Sequence, residues 1–198
     1  GAVVEIGSFL GRSTCFISRL LDRAAADVNF YSVDDWIFEG FKKGGIVSAY
    51  ITHDNFCEYA EAQFRANIEY FTGRKPLHIK TRSDEFFRAW EAYEVRTDIF
   101  GRSVTLGGQI AFAFVDGDHS YEASKRDLRN VIRFLAPGGY VLVDDSHAES
   151  QHECRRAAEE LLEDPELQLV KRFPNIMLQK RQSQDSRAIS DRFAPSGP

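Results

Sequence analysis

Four aspartates stand in two short runs, each directly after an apolar stretch. Asp116 and Asp118 follow one stretch, Asp144 and Asp145 follow the next, and a helical pattern separates them. Because the carboxyl ends of strands in a parallel α/β sheet face one crevice, we expect these carboxylates to meet. Crowded carboxylates need a positive partner, and a hard divalent cation is the expected one. The alternative is that some of these acids only cap the helices that follow.

A glycine turn follows the first apolar stretch. Gly7 and Gly11 flank Ser8-Phe9-Leu10, and Glu5 precedes them. Glycines between a strand and a helix let the backbone approach a ligand closely, and the helix N-terminus favours anionic groups. Asp34, at the end of the next strand, could accept hydrogen bonds from ribose hydroxyls. Together these residues favour a nucleoside cofactor over a tight turn without a ligand.

The elements that must position these residues alternate between strands and helices. The pattern predicts an α/β fold, a Rossmann-like doubly wound sheet of seven mostly parallel strands that ends in an antiparallel hairpin. The predicted strands are 2–6, 29–33, 77–80, 110–115, 140–143, 167–172 and 175–179. The predicted helices lie near 17–24, 54–71, 84–93, 122–135 and 151–162.

Two segments fit no regular pattern. Residues 37–53 are predicted to be an active-site loop, and residues 96–109 an insertion before the strand at 110–115. Aromatic residues in or beside the loop line an acceptor pocket or else pack in the core or a lid: Trp36, Phe38, Phe41 and Tyr50. Residues 1–180 are predicted to form one domain, and the polar segment 181–198 a disordered tail.

Composition narrows the classes of protein. The 198 residues carry 43% hydrophobic residues and a net charge of −5, which favours a globular domain and argues against nucleic acid as the main partner. No apolar run is long enough to span a bilayer. Cys15, Cys57 and Cys154 show neither disulfide nor zinc spacing, so a reduced, cytoplasmic protein is expected. The chain starts in a strand without Met, as expected of a domain whose N-terminal helices are missing.

The glycine turn resembles the first motif of class I S-adenosylmethionine-dependent methyltransferases, and its Glu-x-Gly-x-x-x-Gly spacing differs from the dinucleotide fingerprint. The resemblance implies that Glu5 neighbours the methionine end, that the turn with Ser8 packs on the cofactor, and that Asp34 holds the ribose. Ser13 or Thr14 would contact the methionine carboxylate. Ser83, after the third strand, would lie near the adenine.

The acidic runs indicate which branch of these methyltransferases the chain resembles. Val115-Asp116-Gly117-Asp118-His119-Ser120-Tyr121, then Leu-x-Pro-Gly-Gly and Val-Asp-Asp, are similar to metal-dependent small-molecule O-methyltransferases of the macrocin and cephalosporin hydroxylase-like branch. The resemblance covers roughly residues 1–145. It implies Mg²⁺, or Mn²⁺ or Ca²⁺, on three aspartates, and it places the first of them beside the cofactor as well: Asp116, Asp144 and Asp145.

A metal-assisted transfer to a hydroxyl also needs a base. Asp118 is favoured by the resemblance, whereas His119 has the ordinary pKa better suited to the task and could equally be a hydrogen-bonded supporting residue. His147 and His53 are weaker candidates. The expected acceptor is a hydroxyl of a sugar, polyketide or phenol, and a homo-oligomer is compatible with the resemblance.

Other functions fit the sequence less well. A nucleic-acid amino-methyltransferase would carry Asn/Asp-Pro-Pro-aromatic where this chain has Asp116-Gly117-Asp118-His119. An NAD-dependent oxidoreductase would need a different glycine spacing. The main alternative is an accessory protein that binds cofactor and metal without catalysing transfer.

Overall fold

The computed structural model describes residues 1–38 and 51–182. Its strands are β1 (Ala2–Ile6), β2 (Phe30–Asp34), β3 (Leu77–Lys80), β4 (Val95–Thr97), β5 (Ser103–Thr105), β6 (Ile110–Val115), β7 (Leu135–Val143), β8 (Leu167–Lys171) and β9 (Ile176–Lys180). Its helices are α1 (Arg12–Arg23), α2 (His53–Phe71), α3 (Ser83–Glu91), α4 (Tyr121–Phe134) and α5 (Cys154–Glu160), with a 3-10 turn at Leu161–Glu163.

The main sheet has seven strands in the order β3-β2-β1-β6-β7-β9-β8. β2 pairs with β3, and β6 with β7, in parallel, whereas β9 runs antiparallel to both β7 and β8. The predicted Rossmann-like, mostly parallel sheet with its C-terminal antiparallel hairpin is therefore confirmed. β4 and β5 form a separate antiparallel pair.

The chain divides into two compact units. The N-terminal unit comprises residues 4–107, and the described part of the C-terminal unit comprises residues 1–3 and 108–182. The single-domain boundary at residue 180 stays a prediction.

The core of the N-terminal unit is aromatic. Trp36 packs against Phe64 of α2 and stacks on His78 of β3, at 4.6 Å between the ring centroids. Tyr31 of β2 meets Trp90 of α3 edge to face at 4.9 Å. Aromatic side chains bury much apolar area, so these contacts fix α2 and α3 against β2 and β3.

The core of the C-terminal unit is aliphatic. Val141 and Val143 alternate along β7 and are buried, as are Ile176 and Leu178 on β9. The register pairs Val143 with Ile176 and Val141 with Leu178. Because alternate strand residues share one face, this pairing gives a continuous apolar face.

Three local expectations differ from the structure. The strand predicted at 140–143 begins earlier, at Leu135, and Pro137-Gly138-Gly139 is an irregularity within it, because Leu135 pairs with Ile110 and Tyr140 with Phe112. Gly138 has φ +80°, which suits a bulge. The predicted insertion 96–109 contains the β4–β5 hairpin, and α5 is shorter than the predicted helix 151–162.

α1 also buries different residues than its leucines indicate. Leu20 is 49% exposed, whereas Thr14, Ile17 and Ser18 are buried. Phe41, Tyr50 and the predicted tail after residue 182 lie outside the described residues. Among the helices of the described ranges, none combines the length and apolar character that crossing a bilayer requires.

Candidate active site

The glycine turn between β1 and α1 has the conformation that glycine supplies. Gly7 and Gly11 have φ of +82° and +84°. The Gly7 amide donates to Val33 O at 2.9 Å, and the Gly11 amide donates to Ser8 O at 2.7 Å. α1 then begins at Arg12, and no described side chain caps its first turn. The N–H groups of this turn are therefore suited to an anionic ligand group.

Asp34 holds this turn in place. Its Oδ2 accepts the backbone N–H of Ser8 at 2.9 Å and of Phe9 at 2.8 Å, and its Oδ1 accepts that of Trp36 at 2.8 Å. Burial raises the pKa of Asp34, and the three backbone hydrogen bonds oppose that rise. The structure thus gives a structural role to the carboxylate that sequence reasoning assigned to ribose.

Glu5 and Thr14 form a buried hydrogen bond inside the N-terminal unit. Both are fully buried, and the Thr14 hydroxyl donates to Glu5 Oε2 at 2.5 Å. This bond joins the end of β1 to the first turn of α1. Ser13, the next residue toward the turn, is only partly buried, and Ser83 is the first residue of α3. Of the two residues predicted to contact the methionine carboxylate of the cofactor, Ser13 is therefore the accessible one.

The aromatic residues near the turn divide into two groups. Trp36 is 1% exposed, has φ +53°, and donates from Nε1 to Phe9 O at 2.8 Å, so it belongs to the core. Phe38 packs edge to face on Phe9 at 5.6 Å and lies 5.3 Å from Phe56. Phe9, which packs with Phe38 and lies within the glycine turn, is 47% exposed.

The C-terminal unit collects acidic and imidazole groups where β6 and β7 end. The Asp144 amide donates to Val115 O at 2.9 Å and ties the two strand ends together. His119 Nε2 lies 3.4 Å from Asp116 Oδ1 and 3.6 Å from Asp145 Oδ2. Asp145 has φ +49°, an uncommon conformation for a residue other than glycine. Two of the three predicted metal ligands therefore flank one histidine.

The other predicted residues are engaged elsewhere. The Asp144 carboxylate accepts a hydrogen bond from the Asn175 side-chain amide, just before β9. Asp118 is exposed, and its Oδ1 accepts the Ser120 amide at 2.8 Å at the start of α4. His53 Nε2 contacts Ile37 O at 2.6 Å in the N-terminal unit. Asp118 thus holds the turn that precedes α4, and its side chain does not cap that helix.

His152 belongs to this cluster, and sequence reasoning missed it. Its Nε2 lies 3.5 Å from Asp145 Oδ2, and its ring centroid lies 4.4 Å from that of His119. His152 stands seven residues after Asp145, within a segment predicted to be helical, so no strand end pointed to it. A histidine in the segment leading out of the second acidic run was the available signal.

The carboxylates and His119 shift one another's protonation. Burial raises the pKa of Asp116, and the His119 hydrogen bond opposes this rise. The pKa of His119 is raised, first by the hydrogen bond to Asp116 and against the effect of burial. Coupled shifts of this kind are common at functional sites.

Comparison with known proteins shows the family. A family model described as a methyltransferase domain matches residues 4–146, so the chain belongs to that methyltransferase family. The matched range contains the glycine turn, Asp34 and both acidic runs. A search of curated proteins finds no match.

Solved structures show the same fold at low identity. The O-methyltransferase NovP has a TM-score of 0.59 and 19% identity, covering 92% of this chain and 72% of its own. A TDP-rhamnose 3'-O-methyltransferase of calicheamicin biosynthesis gives 0.56 and 15%, covering 90% and 71%. An O-methyltransferase from Bacillus cereus, in complex with SAH, gives 0.53 and 14%, covering 91% and 74%.

Proposed function

We propose that this methyltransferase moves the methyl group of S-adenosylmethionine to a hydroxyl oxygen of a small molecule, with help from a divalent cation. The observation that carries the proposal is His119 lying beside the carboxylates of Asp116 and Asp145, where β6 and β7 end. The family match supports the methyl transfer, and the similarity to solved O-methyltransferases supports a hydroxyl acceptor.

The glycine turn fits the cofactor. The sulfonium of S-adenosylmethionine supplies an electrophilic methyl group. Ser13 and the uncapped first turn of α1 would bind the methionine carboxylate, because the N–H groups there favour an anion. Asp34 accepts three N–H groups, and a carboxylate can accept about four, so it keeps capacity for one ribose hydroxyl. Ser83 is proposed near the adenine.

The acidic cluster fits a divalent cation. Asp116, Asp144 and Asp145 offer the oxygen ligands that Mg²⁺ or Mn²⁺ takes, although Asp144 would exchange its Asn175 contact to join them. A bound cation lowers the pKa of a coordinated hydroxyl and orients it for attack. Burial, and to a smaller extent the nearby carboxylates, raise the pKa of Asp116, and a cation there would favour its ionised form.

The transfer releases one proton. The acceptor oxygen forms a bond to the methyl carbon while the carbon–sulfur bond breaks, leaving a methyl ether and S-adenosylhomocysteine. The hydroxyl proton passes to a base, either Asp118 or His119. The pKa of His119 is raised, first by its hydrogen bond to Asp116, which strengthens its neutral form as a proton acceptor.

Formation of S-adenosylhomocysteine tests the proposal. The purified chain is incubated with S-adenosylmethionine, with Mg²⁺, Mn²⁺, Co²⁺ or Zn²⁺ in parallel reactions, and with sugar, polyketide and phenol acceptors. The product is measured by mass spectrometry. Asp116→Asn should lower the rate by about 100-fold or more, since it weakens both the metal site and the base. Glu149→Gln, at an exposed position in the same unit, is the matched control. Cofactor binding without any transfer would favour the accessory-protein alternative.

A further inference from the structure

The chain's own residues indicate which metal this site would take. We propose that His119, Asp145 and His152 form a mixed nitrogen and oxygen site that selects a transition ion such as Co²⁺ or Zn²⁺ over Mg²⁺. This inference rests on the proposed function for its purpose, because it names the cation that would assist the transfer.

The spacing of the three ligand atoms matches a shared ion. Both imidazole Nε2 atoms face the same oxygen of Asp145, at 3.6 Å from His119 and 3.5 Å from His152. All three ligand atoms lie within 4.8 Å of one another. Adjacent ligands about 2.0–2.2 Å from one ion are about 3–3.6 Å apart, as simple geometry requires. The two distances to the Asp145 oxygen fall at the upper end of that range.

The same distances are long for direct hydrogen bonds. Bonds between an imidazolium and a carboxylate are usually about 2.7–2.9 Å. The three contacts of Asp116, His119, Asp145 and His152 are 3.4–3.6 Å. Contacts of this length leave the Asp145 oxygen and the two imidazole nitrogens able to share one cation.

The protein holds His152 in place through the segment before α5. The amide of Cys154 donates to His119 O at 3.1 Å, and Glu153 Oε2 accepts the Tyr121 amide at 3.4 Å. The Cys154 thiol also contacts the carbonyl oxygens of Asp144 and Asp145, at 3.6 and 3.5 Å. These bonds join the backbone of His119 and Asp145 to Cys154, two residues after His152, so the fold brings the segment that carries His152 to the other two ligands.

The donor set decides the metal. Carboxylate, carbonyl and water oxygens suit Mg²⁺, whereas imidazole nitrogen suits transition ions such as Zn²⁺. The three-aspartate set implied by the sequence is an oxygen-only set, and the structure places two imidazoles among these carboxylates instead. Assigning His119 to the metal leaves Asp118 as the base.

Titration of the full chain with Co²⁺ alone tests the inference. In wild type, we expect visible absorption bands and two paramagnetically shifted imidazole N–H resonances. His152→Ala should remove one resonance and weaken Co²⁺ binding tenfold or more. His147→Ala, in the same segment but outside the cluster, is the matched control and should match wild type. Mg²⁺ should displace Co²⁺ only at more than a hundredfold excess.

Several results would overturn the site. These are no Co²⁺ binding by the folded chain, no imidazole resonance shifted by the ion, equal competition by Mg²⁺, or unchanged affinity in His152→Ala. Binding of S-adenosylmethionine is measured separately without metal. If the cofactor binds and Co²⁺ does not, only this inference fails. If Co²⁺ binds and the cofactor does not, the proposed function fails.

Discussion

His119 Nε2 lies 3.4 Å from Asp116 Oδ1, so the base candidate of one acidic run faces the first carboxylate of the same run. The two residues are three positions apart, with Gly117 and Asp118 between them. Asp116 therefore raises the pKa of a residue that is also a candidate base in the proposed reaction.

Removing this carboxylate should lower the pKa of His119. In the metal-free protein, Asp116→Asn takes away the anion that contributes most to holding the imidazolium. An opposite charge at such a distance shifts a pKa by about 1 unit or more. We therefore expect an NMR titration to show a lower pKa for His119 in the Asp116→Asn protein than in wild type. Asp118→Asn is the control, and an equal shift there would contradict the pairwise account.

Gly11 should tolerate no side chain. It has φ +84°, and a Cβ there would lie 2.9 Å from Phe64 Cδ2. Gly101 has φ +81° and no atom within 4 Å of such a Cβ, so Gly101→Ala carries the backbone strain alone. Gly11→Ala should lower the free energy of unfolding by about 1–3 kcal/mol more than Gly101→Ala. Urea unfolding measures both, and equal losses would show that the contact with Phe64 relaxes freely.

The buried Thr14–Glu5 bond should be important for stability. Thr14→Val keeps the shape of the side chain but removes the hydroxyl that donates to Glu5 Oε2. Loss of a donor to a buried oxygen costs about 1–3 kcal/mol. Ser13→Ala, one position earlier and partly buried, should change the free energy of unfolding by less than about 0.5 kcal/mol. A Thr14→Val protein as stable as wild type would contradict this role.

His78 should make the fold sensitive to acid. Burial lowers its pKa from 6.5 to about 3, so the unfolded chain binds a proton that the folded chain excludes between those values. This destabilisation is absent above about pH 6.5 and grows as the pH falls toward 3. Between pH 7 and 5, wild type should lose about 2 kcal/mol more than His78→Phe. Urea unfolding at both pH values measures the difference, and parallel losses would contradict the assignment.

The sequence predicted the elements well where periodicity and strand-end chemistry agreed. β1, β3 and β6 have the predicted bounds, and the hairpin of β8 and β9 is confirmed. Alternation of apolar residues and the glycine turn were sufficient there. The start of β7 was wrong, because Pro137-Gly138-Gly139 signals a turn whether it ends a strand or forms a bulge within one.

The candidate site was predictable only in part. Strand-end aspartates pointed to Asp116 and Asp145, since strand ends are fixed by local pattern. Whether Thr14 or Ser13 is accessible depends on which face of α1 is buried, and the exposure of Leu20 shows that the leucines of α1 do not mark that face. The place of His152 in the cluster depends on the contact between the segment before α5 and His119. Such a long-range contact leaves no local pattern in the sequence.

Binding of S-adenosylmethionine is the most direct test of the central claim. Calorimetric titration of the wild-type chain should show one site of micromolar affinity. Asp34→Ala should abolish binding, because this carboxylate both holds the glycine turn and faces the ribose in the proposal. Asp35→Ala, whose Oδ1 accepts only the Ile37 amide among the described backbone groups, should bind as wild type does. A folded wild-type chain that gives no binding signal would contradict the methyltransferase account.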